Sequence, residues 1–485
     1  MTMTLTFLGA ARTVTGSKYL LDTGDVKVLI DGGLFQGLKE LRERNWQDMP
    51  FKPSDLHAVV LTHAHLDHCG YLPRLVKNGF GGRIFCTAGT ADLCRIVLPD
   101  SGRIQEEDAA NANRNGFSKH QPALPLYGEA DAFRAVSQLQ PVGYERPMPV
   151  APGVEAEFIN AGHLLGSAYA RVRVGGKTIL FGGDLGRYDR PVLPDPTPIT
   201  EADYLLVEST YGNRVHEQDD DGTRLAEVVS ATAQRGGKLI IPAFAIGRVE
   251  ELLYWLKQLE EQKRIPVLPV FVDSPMATEA LARYTERLNE LDPALQPELN
   301  DPKAPHDKAA HQPQDRRRQQ AREERRVCAF CTERFRTIAS PAESRQLTQS
   351  NRPAIVISSS GMATGGRVLH HLKAALPDSR NTVLMVGYQA EGTRGRQLVD
   401  GERAVKIHGQ TISVNARVEQ IESMSAHADS AEILRWLGGF SRPPQMTFIV
   451  HGEPVAMEAL SGLIREKLGW SVRMPEYREA VTLEI

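Results

Sequence analysis

In the segment AVVLTHAHLDHCG an apolar run leads into His63, His65, Asp67 and His68. Alternate residues of an extended segment point to the same side, so His63 and His65 can grip one metal ion. Asp67 and His68 follow where the backbone turns, and can be aimed at a second ion nearby. Imidazole nitrogen and carboxylate oxygen are the donors that zinc accepts in catalytic sites, which keep one position for water. A single histidine ending an apolar strand reads as a satisfied core residue; three histidines and an aspartate packed this closely do not.

Further donors stand at the ends of other apolar runs. AGHLLGSA carries His163, and LFGGDLGR carries Asp184 directly after KTILFGG. Taken alone, each reads equally well as a turn residue or helix cap. In SSSGMATGGR, the hydroxyls of Ser358, Ser359 and Ser360, the backbone at Gly361, Gly365 and Gly366, and the guanidinium of Arg367 suit a phosphate. The same residues also suit a tight strand-to-helix turn that needs glycine. The remaining histidines, His57, His120, His216, His306, His311, His370, His371 and His408, fit no ligand pattern and are assigned to surface or core. Cys328 and Cys331 form a C-x-x-C without the second pair that a structural zinc site requires.

The elements that must position these residues are legible in the patterning. LTFLG, KYLLDTG, VKVLIDGG, AVVLTHAH and KTILFGGDLG read as short strands closed by Gly, Asp or His. They deliver polar residues to their C-terminal ends, where open sheets place ligands. From about Asp203 the pattern becomes strand-helix alternation: YLLVEST, then TRLAEVVSATAQRGG, KLIIPAF, IGRVEELLYWLKQLEEQ and VLPVFVDSP. This is the signature of a doubly wound parallel unit, and it resumes with PAIVISSSG and NTVLMVGYQAEG. The interruption from about Leu291 to Glu324 ends in an arginine run, Arg316, Arg317, Arg318, Arg322, Arg325 and Arg326, interleaved with acids. It reads first as a solvated face balanced by its own charges, and second as an RNA-contacting arm.

Composition bounds the rest. The chain has 485 residues, 41% hydrophobic and 24% charged, enough for more than one core, and its net charge of -3 means that any surface for a polyanion must be local. The N-terminus has no basic region followed by an apolar core, and no apolar run approaches the roughly 20 residues of a membrane span. Five cysteines in so long a chain are not a disulfide framework. The expectation is a soluble cytoplasmic protein with no membrane partner. A homodimer is compatible with the sequence, which does not set the oligomeric state.

Taken in order, these segments resemble the metallo-β-lactamase superfamily, and within it the β-CASP nucleases. VLIDGG with Asp31, THAHLDH, AGHLLGSA and GGDLG are similar to the superfamily's first four motifs; VESTYG with Glu208, SMSAHAD with His427 and IVHGE with His451 are similar to β-CASP motifs A, B and C. IPAFAIGR and SSSGMATGGR resemble segments of the inserted β-CASP domain. The resemblance implies an α/β fold, a metallo-β-lactamase αββα sandwich over residues 1–210 and 396–485 with an inserted α/β β-CASP domain over 211–395. It implies two zinc ions: His63, His65 and His163 on one, Asp67, His68 and His451 on the other, Asp184 bridging. Manganese suits the same donors. Relatives with histidine at motif C act on RNA, and the chain ends soon after that motif, so the expectation is an endonucleolytic ribonuclease acting on single-stranded RNA.

The chemistry expected of such a site is hydrolysis of a phosphodiester, for which two ions about 3.5 to 4 Å apart supply an activated water and clamp the phosphate. Asp31 would orient that water or a ligand histidine from behind. His427 would protonate the leaving oxygen, and Glu208 would hold His427 in the right tautomer. A DNA-processing nuclease of the same family and a small-molecule metallo-hydrolase are the alternatives; His451 argues against the first, the inserted domain against the second.

Overall fold

A computed structural model describes residues 3–116, 118–217, 222–295 and 329–484. The arginine run from Arg316 to Arg326 lies outside the described residues, as do Cys328, His306 and His311. The chain divides into two compact units, one made of Met1–Asp189, Asp195–Val215 and His427–Ile485, the other of Arg190–Pro194 and His216–Ala426.

The first unit is two seven-stranded sheets packed face to face. In one, Met3–Phe7, Tyr19–Asp22, Lys27–Ile30, Ala58–Val60, Arg83–Thr87 and Leu139–Val142 lie side by side, with Ala480–Leu483 added at the edge. In the other, Met446–Val450, Tyr204–Glu208, Lys177–Phe181, Ala168–Val174, Val154–Asn160 and Met148–Ala151 follow in that order from the edge pair Val472–Arg473. Alternation puts Leu5, Phe7, Val28, Ile30 and Val60 of the first sheet against Phe158, Val172, Phe181, Leu206 and Phe448 of the second in one core. The rings of Phe7 and Phe448 meet there at 5.1 Å. Helices cover the outer faces. Ser430–Leu437 and Pro454–Leu468 bury Ile433, Trp436, Leu437, Met457, Leu460 and Ile464 against Tyr169, Leu180, Leu205, Val207 and Ile449. Ala88–Asn115 packs on Arg83–Thr87 and Leu139–Val142. This is the αββα sandwich that the motifs imply.

That last helix is 28 residues long and escapes the sequence reading, because its buried residues stop at Gly102 and its second half, RIQEEDAANANRN, is polar on every side. Tertiary contact with the sheet, rather than its own apolar stripe, holds the buried half.

The second unit is a wholly parallel six-stranded sheet in the order Phe335–Thr337, Val270–Val272, Ala354–Ser358, Lys238–Pro242, Thr382–Val386, Arg417–Ile421. A small antiparallel hairpin, Ala404–Ile407 with Gln410–Ser413, accompanies it. The helices Thr223–Gln234 and Arg248–Glu261 stand where the patterning puts them. The return to the first unit comes at His427 rather than near residue 396, because Arg417–Ile421 pairs with Thr382–Val386 and stays in the second sheet. Among the described residues no helix is long and apolar enough to cross a membrane.

One buried acid in the second unit makes a measurable demand on the fold. Glu250, in the first turn of Arg248–Glu261, is fully buried, and burial pushes its carboxyl up to about 8, outweighing the nearby backbone N–H groups and Arg248. The folded chain therefore holds a proton that the unfolded chain releases near the ordinary value of 4.5. Stability falls as pH rises through that window and levels off above it. Glu250→Gln removes the effect, so the stability difference between variant and wild type, read from urea unfolding, should grow in the variant's favour by about 1.4 kcal/mol per pH unit until pH 8. A difference independent of pH would show the carboxyl to be ionised in the fold.

Candidate metal centre

Parallel neighbours end together, and this brings the donors to one edge of the first unit. Ile30 pairs with Val60, so Asp31 and the segment from Leu61 to His68 leave their sheet side by side. Phe181 pairs with Leu206 and Glu208 with Val450, so Asp184, Glu208 and His451 leave the other sheet together. Asp31 and His451 both have left-handed φ values, 58° and 50°. Such strain persists only where the surroundings over-determine it. Here the Asp31 N–H donates to Val60 O at 2.9 Å and the His451 N–H to Ala10 O at 2.7 Å.

The side chains converge on Asp184, which is buried. Its Oδ2 lies 3.3 Å from His63 Nε2 and 3.5 Å from His163 Nε2. Its Oδ1 lies 3.2 Å from His68 Nε2 and 3.6 Å from His451 Nε2. Asp67 Oδ2 is 3.3 Å from His451 Nε2. Ligand atoms of His63, His65, His163 and Asp184 lie within 4.8 Å of one another, and so do those of Asp67, His68 and His451. Both oxygens of Asp184 and Nε2 of His63 are buried without a hydrogen-bond partner. A carboxylate and a ring of imidazole nitrogens left in this state fit a bound cation.

The ring nitrogens turned away from Asp184 explain the orientation. His68 Nδ1 meets Asp31 Oδ2 at 2.8 Å. Thr62 Oγ1 donates to Asp31 at 2.9 Å and so accepts from His63 Nδ1 at 3.1 Å. Thr210 Oγ1 donates to Glu208 at 2.5 Å and accepts from His451 Nδ1 at 3.1 Å. Nδ1 of His63 and of His451 therefore carries the hydrogen, with Nε2 of each turned towards Asp184, while His68 Nδ1 donates to the Asp31 carboxylate. Thr62 and Thr210 are not singled out by residue type. The signal that could have found them is adjacency, since one precedes His63 and the other lies two residues after Glu208. Burial pushes His63 down to about 3 and His65 to about 4, and His163 well below its usual value, which keeps them in the neutral form that ligates metal. His68 moves up, because Asp184 and Asp31 outweigh its burial.

His427 sits beside the cluster with Nδ1 at 3.1 and 3.2 Å from the two Glu208 oxygens and 3.9 Å from Asp184 Oδ2. Burial pulls it down, but Glu208 and Asp184 outweigh that and raise it to about 9. Glu208 also accepts from Leu185 N at 2.7 Å, tying the base of His427 to the Asp184 loop.

The serine turn belongs to the second unit and is less uniform than the sequence suggests. Ser358 is buried with its hydroxyl spent on Asp273 O at 2.8 Å, so the expectation that it contacts RNA is withdrawn. Arg367 Nη1 donates to Asp273 Oδ1 at 2.7 Å and to Ile338 O at 3.3 Å, which makes it an anchor of the turn. Gly361 is buried; Ser359 and Ser360 are half-exposed.

A sandwich of two sheets between helices, with histidine and carboxylate donors gathered at one strand-end edge, defines a metal-dependent hydrolase of the metallo-β-lactamase fold. The family model of the metallo-beta-lactamase superfamily matches residues 12–84, that of the Beta-Casp domain 249–398, and that of the Zn-dependent metallo-hydrolase RNA specificity domain 411–475. The chain is 34% identical over 474 residues to Ribonuclease TTHA0252 of Thermus thermophilus, covering 98% of both chains. It is 32% identical over 461 residues to the transcription termination factor FttA of Methanocaldococcus jannaschii, covering 93% of this chain and 67% of that one. A crystal structure of a protein of unknown function from Enterococcus faecalis V583 shares the fold over 100% of both chains, with TM-score 0.52 and 13% identity. The chain belongs to the β-CASP family of the metallo-β-lactamase superfamily, as its ordered motifs indicate.

The closest packing at the centre is backbone against backbone at Gly33, where a Cβ would stand 1.6 Å from Asp67 O and 2.8 Å from His68 N. Gly33→Ala must push the Asp67–His68 segment away. Metal retained after desalting should fall well below that of the wild type while the circular dichroism stays folded; wild-type metal content would show that the segment yields without moving its side chains.

Proposed function

We propose that the protein is a zinc-dependent ribonuclease that hydrolyses phosphodiester bonds within single-stranded RNA, in RNA processing or degradation. The observation that carries this reading is the division of donors about Asp184, with His63 and His163 facing Oδ2 while His68 and His451 face Oδ1. It supports one ion on His63, His65 and His163, a second on Asp67, His68 and His451, and Asp184 shared between them. Histidine and carboxylate together suit zinc. RNA as substrate is supported by the match to an RNA specificity domain and by a relative named a ribonuclease that the chain covers almost end to end.

When bound, the two ions supply a water of lowered pKa and positive charge at the non-bridging phosphate oxygens. The chain's residues do the rest. Asp31 fixes His68 directly and His63 through Thr62. Glu208 fixes His451 through Thr210 and holds His427 by Nδ1. That leaves Nε2 of His427 to carry the proton for the departing 3′ oxygen, a transfer that contributes on the order of 10²- to 10⁴-fold in rate.

The test is cleavage of 5′-labelled single-stranded RNA and DNA of one sequence by the wild type, Asp184→Ala and His427→Ala, with zinc measured on the same samples. Internal RNA fragments from the wild type with about two zinc per chain are expected. Asp184→Ala should lose zinc and cleavage together. His427→Ala should keep zinc and lose roughly 10²- to 10⁴-fold in rate; loss of zinc there would make His427 a ligand. Equal cleavage of DNA would replace the substrate, release of 5′ mononucleotides alone would make the action exonucleolytic, and two bound zinc without cleavage would favour a small-molecule hydrolase.

A further inference from the structure

Lys18 stands just before the strand Tyr19–Asp22 and is only 3% exposed, yet it forms no ion pair with a carboxylate among the described residues. Its Nζ donates to Gly33 O at 2.5 Å and lies over two aromatic rings, 4.4 Å from the centre of Phe35 and 5.0 Å from that of Tyr71. Burial pulls the amine down to about 7, with no acid to oppose it. Buried charges are ordinarily paired or bound to a ligand, and one carbonyl with two ring faces meets only part of that demand.

The amine lines a hollow of about 260 Å³, counted to its open mouth, with Phe35, Tyr71 and Tyr477 among its walls. Two guanidinium groups line it as well. Arg44 lies 4.3 Å from the centre of the Tyr477 ring and 5.5 Å from that of Phe35. Arg478 lies 5.4 Å from the centre of Tyr477, and its Nη2 donates to the Asp48 carbonyl oxygen at 2.9 Å. Neither arginine forms an ion pair among the described residues. Against these three basic side chains the lining holds one acid, Asp48, which is exposed.

Strand register puts this hollow on the edge that carries the metal centre. Phe7 pairs with Tyr19, Tyr19 with Ile30, and Ile30 with Val60. Lys18 thus enters the sheet where Asp31 and the segment leading to His63 leave it. The Arg478 N–H donates to Phe7 O at 2.7 Å, with a left-handed φ of 66° at Arg478. Backbone strain of this kind clusters at ligand clamps and active sites. A net charge of -3 requires any surface for a polyanion to be local, and three basic groups around one hollow at this edge make such a surface.

We propose that Lys18, Arg44 and Arg478 form a phosphate subsite for the RNA strand, taking a phosphodiester other than the one that is cut. This rests on the ribonuclease reading for the identity of the strand. RNA carries a phosphate at every nucleotide, so a strand lying across this edge offers one to the hollow while another meets the metal centre. The planar fork of arginine suits the non-bridging oxygens, and the aromatic rings stack against the guanidinium groups. An anion in the hollow also supplies the countercharge that Lys18 lacks. Phosphate contacts carry no sequence information, so the subsite fixes the position of the strand and not the choice of base.

The experiment measures binding of a single-stranded 2′-O-methyl phosphorothioate oligoribonucleotide, which resists hydrolysis, across a series of salt concentrations. The wild type is compared with Arg44→Gln, Arg478→Gln and Arg44→Lys, and inorganic phosphate is titrated against each protein separately. Each glutamine variant should bind the oligomer roughly tenfold more weakly, and its slope of log affinity against log salt should be shallower by about 0.7, the share of one phosphate contact. Arg44→Lys should keep the wild-type slope, because charge rather than ring packing sets it. Wild-type slopes in both glutamine variants overturn the proposal, whatever the change in affinity. So does a slope loss shared by Arg44→Lys, since the arginine would then only brace the rings. Inorganic phosphate that binds the wild type and not the glutamine variants, with oligomer binding unchanged, also overturns it, since the hollow would then serve a free anion. Because no turnover is read, a wild type that shows the expected slopes but cuts no RNA would count against the ribonuclease reading alone.

Discussion

Asp184 sits in the first unit with both carboxylate oxygens buried and four imidazole nitrogens between 3.2 and 3.6 Å away. Burying a carboxylate without compensation costs several kcal/mol, and imidazoles held neutral by burial, as His63 and His163 are, do not compensate it. Cations do. The stability of this edge and its chemistry are therefore one problem, because the donors gathered there are ones that a metal cation would satisfy.

The rest of the unit is organised so that these donors cannot relax away. Strands in parallel register terminate together and cast their following residues over one edge. Glycines allow backbone approaches that no other residue could make: Gly33 against Asp67, and Gly186, whose Cβ would stand 2.1 Å from Gly162. Asp31 and His451 accept left-handed backbone angles to aim at the centre. Two threonines relay the carboxylates of Asp31 and Glu208 to histidine Nδ1 atoms, which settles the tautomer of each ring before any substrate arrives.

Asp273 in the second unit is the instructive contrast. It is an equally buried aspartate at a strand end, yet its oxygens are met by Arg367, His371 and Ser344. Burial pushes its carboxyl up, and these donors more than offset that, leaving it below the usual value. One aspartate, both oxygens buried without a hydrogen-bond partner among imidazole nitrogens, suits a metal; the other, surrounded by donors, fixes a turn. Both are buried aspartates just past the end of a strand, and it is the neighbours that set them apart.

That contrast also divides what the sequence determined from what only the tertiary structure decided. Local spacing was enough to mark His63, His65, Asp67 and His68, because three histidines and an acid at a strand end have no economical use in a core. Ordered motifs were enough for the family, the sandwich and the insertion, since each pairs a strand pattern of period two with a terminal polar residue. The long helix Ala88–Asn115 was hidden, because half of it earns its place only by contact with a sheet distant in sequence. The chain's return at His427 was likewise set by pairing of Arg417–Ile421 with Thr382–Val386, a choice of neighbour that no local pattern encodes. The inward turn of Ser358 and Arg367 and the relays through Thr62 and Thr210 are all facts of packing. They depend on which side chains meet across separations of up to 241 residues, as Thr210 meets His451, and such meetings exist only once the sheets have closed on each other.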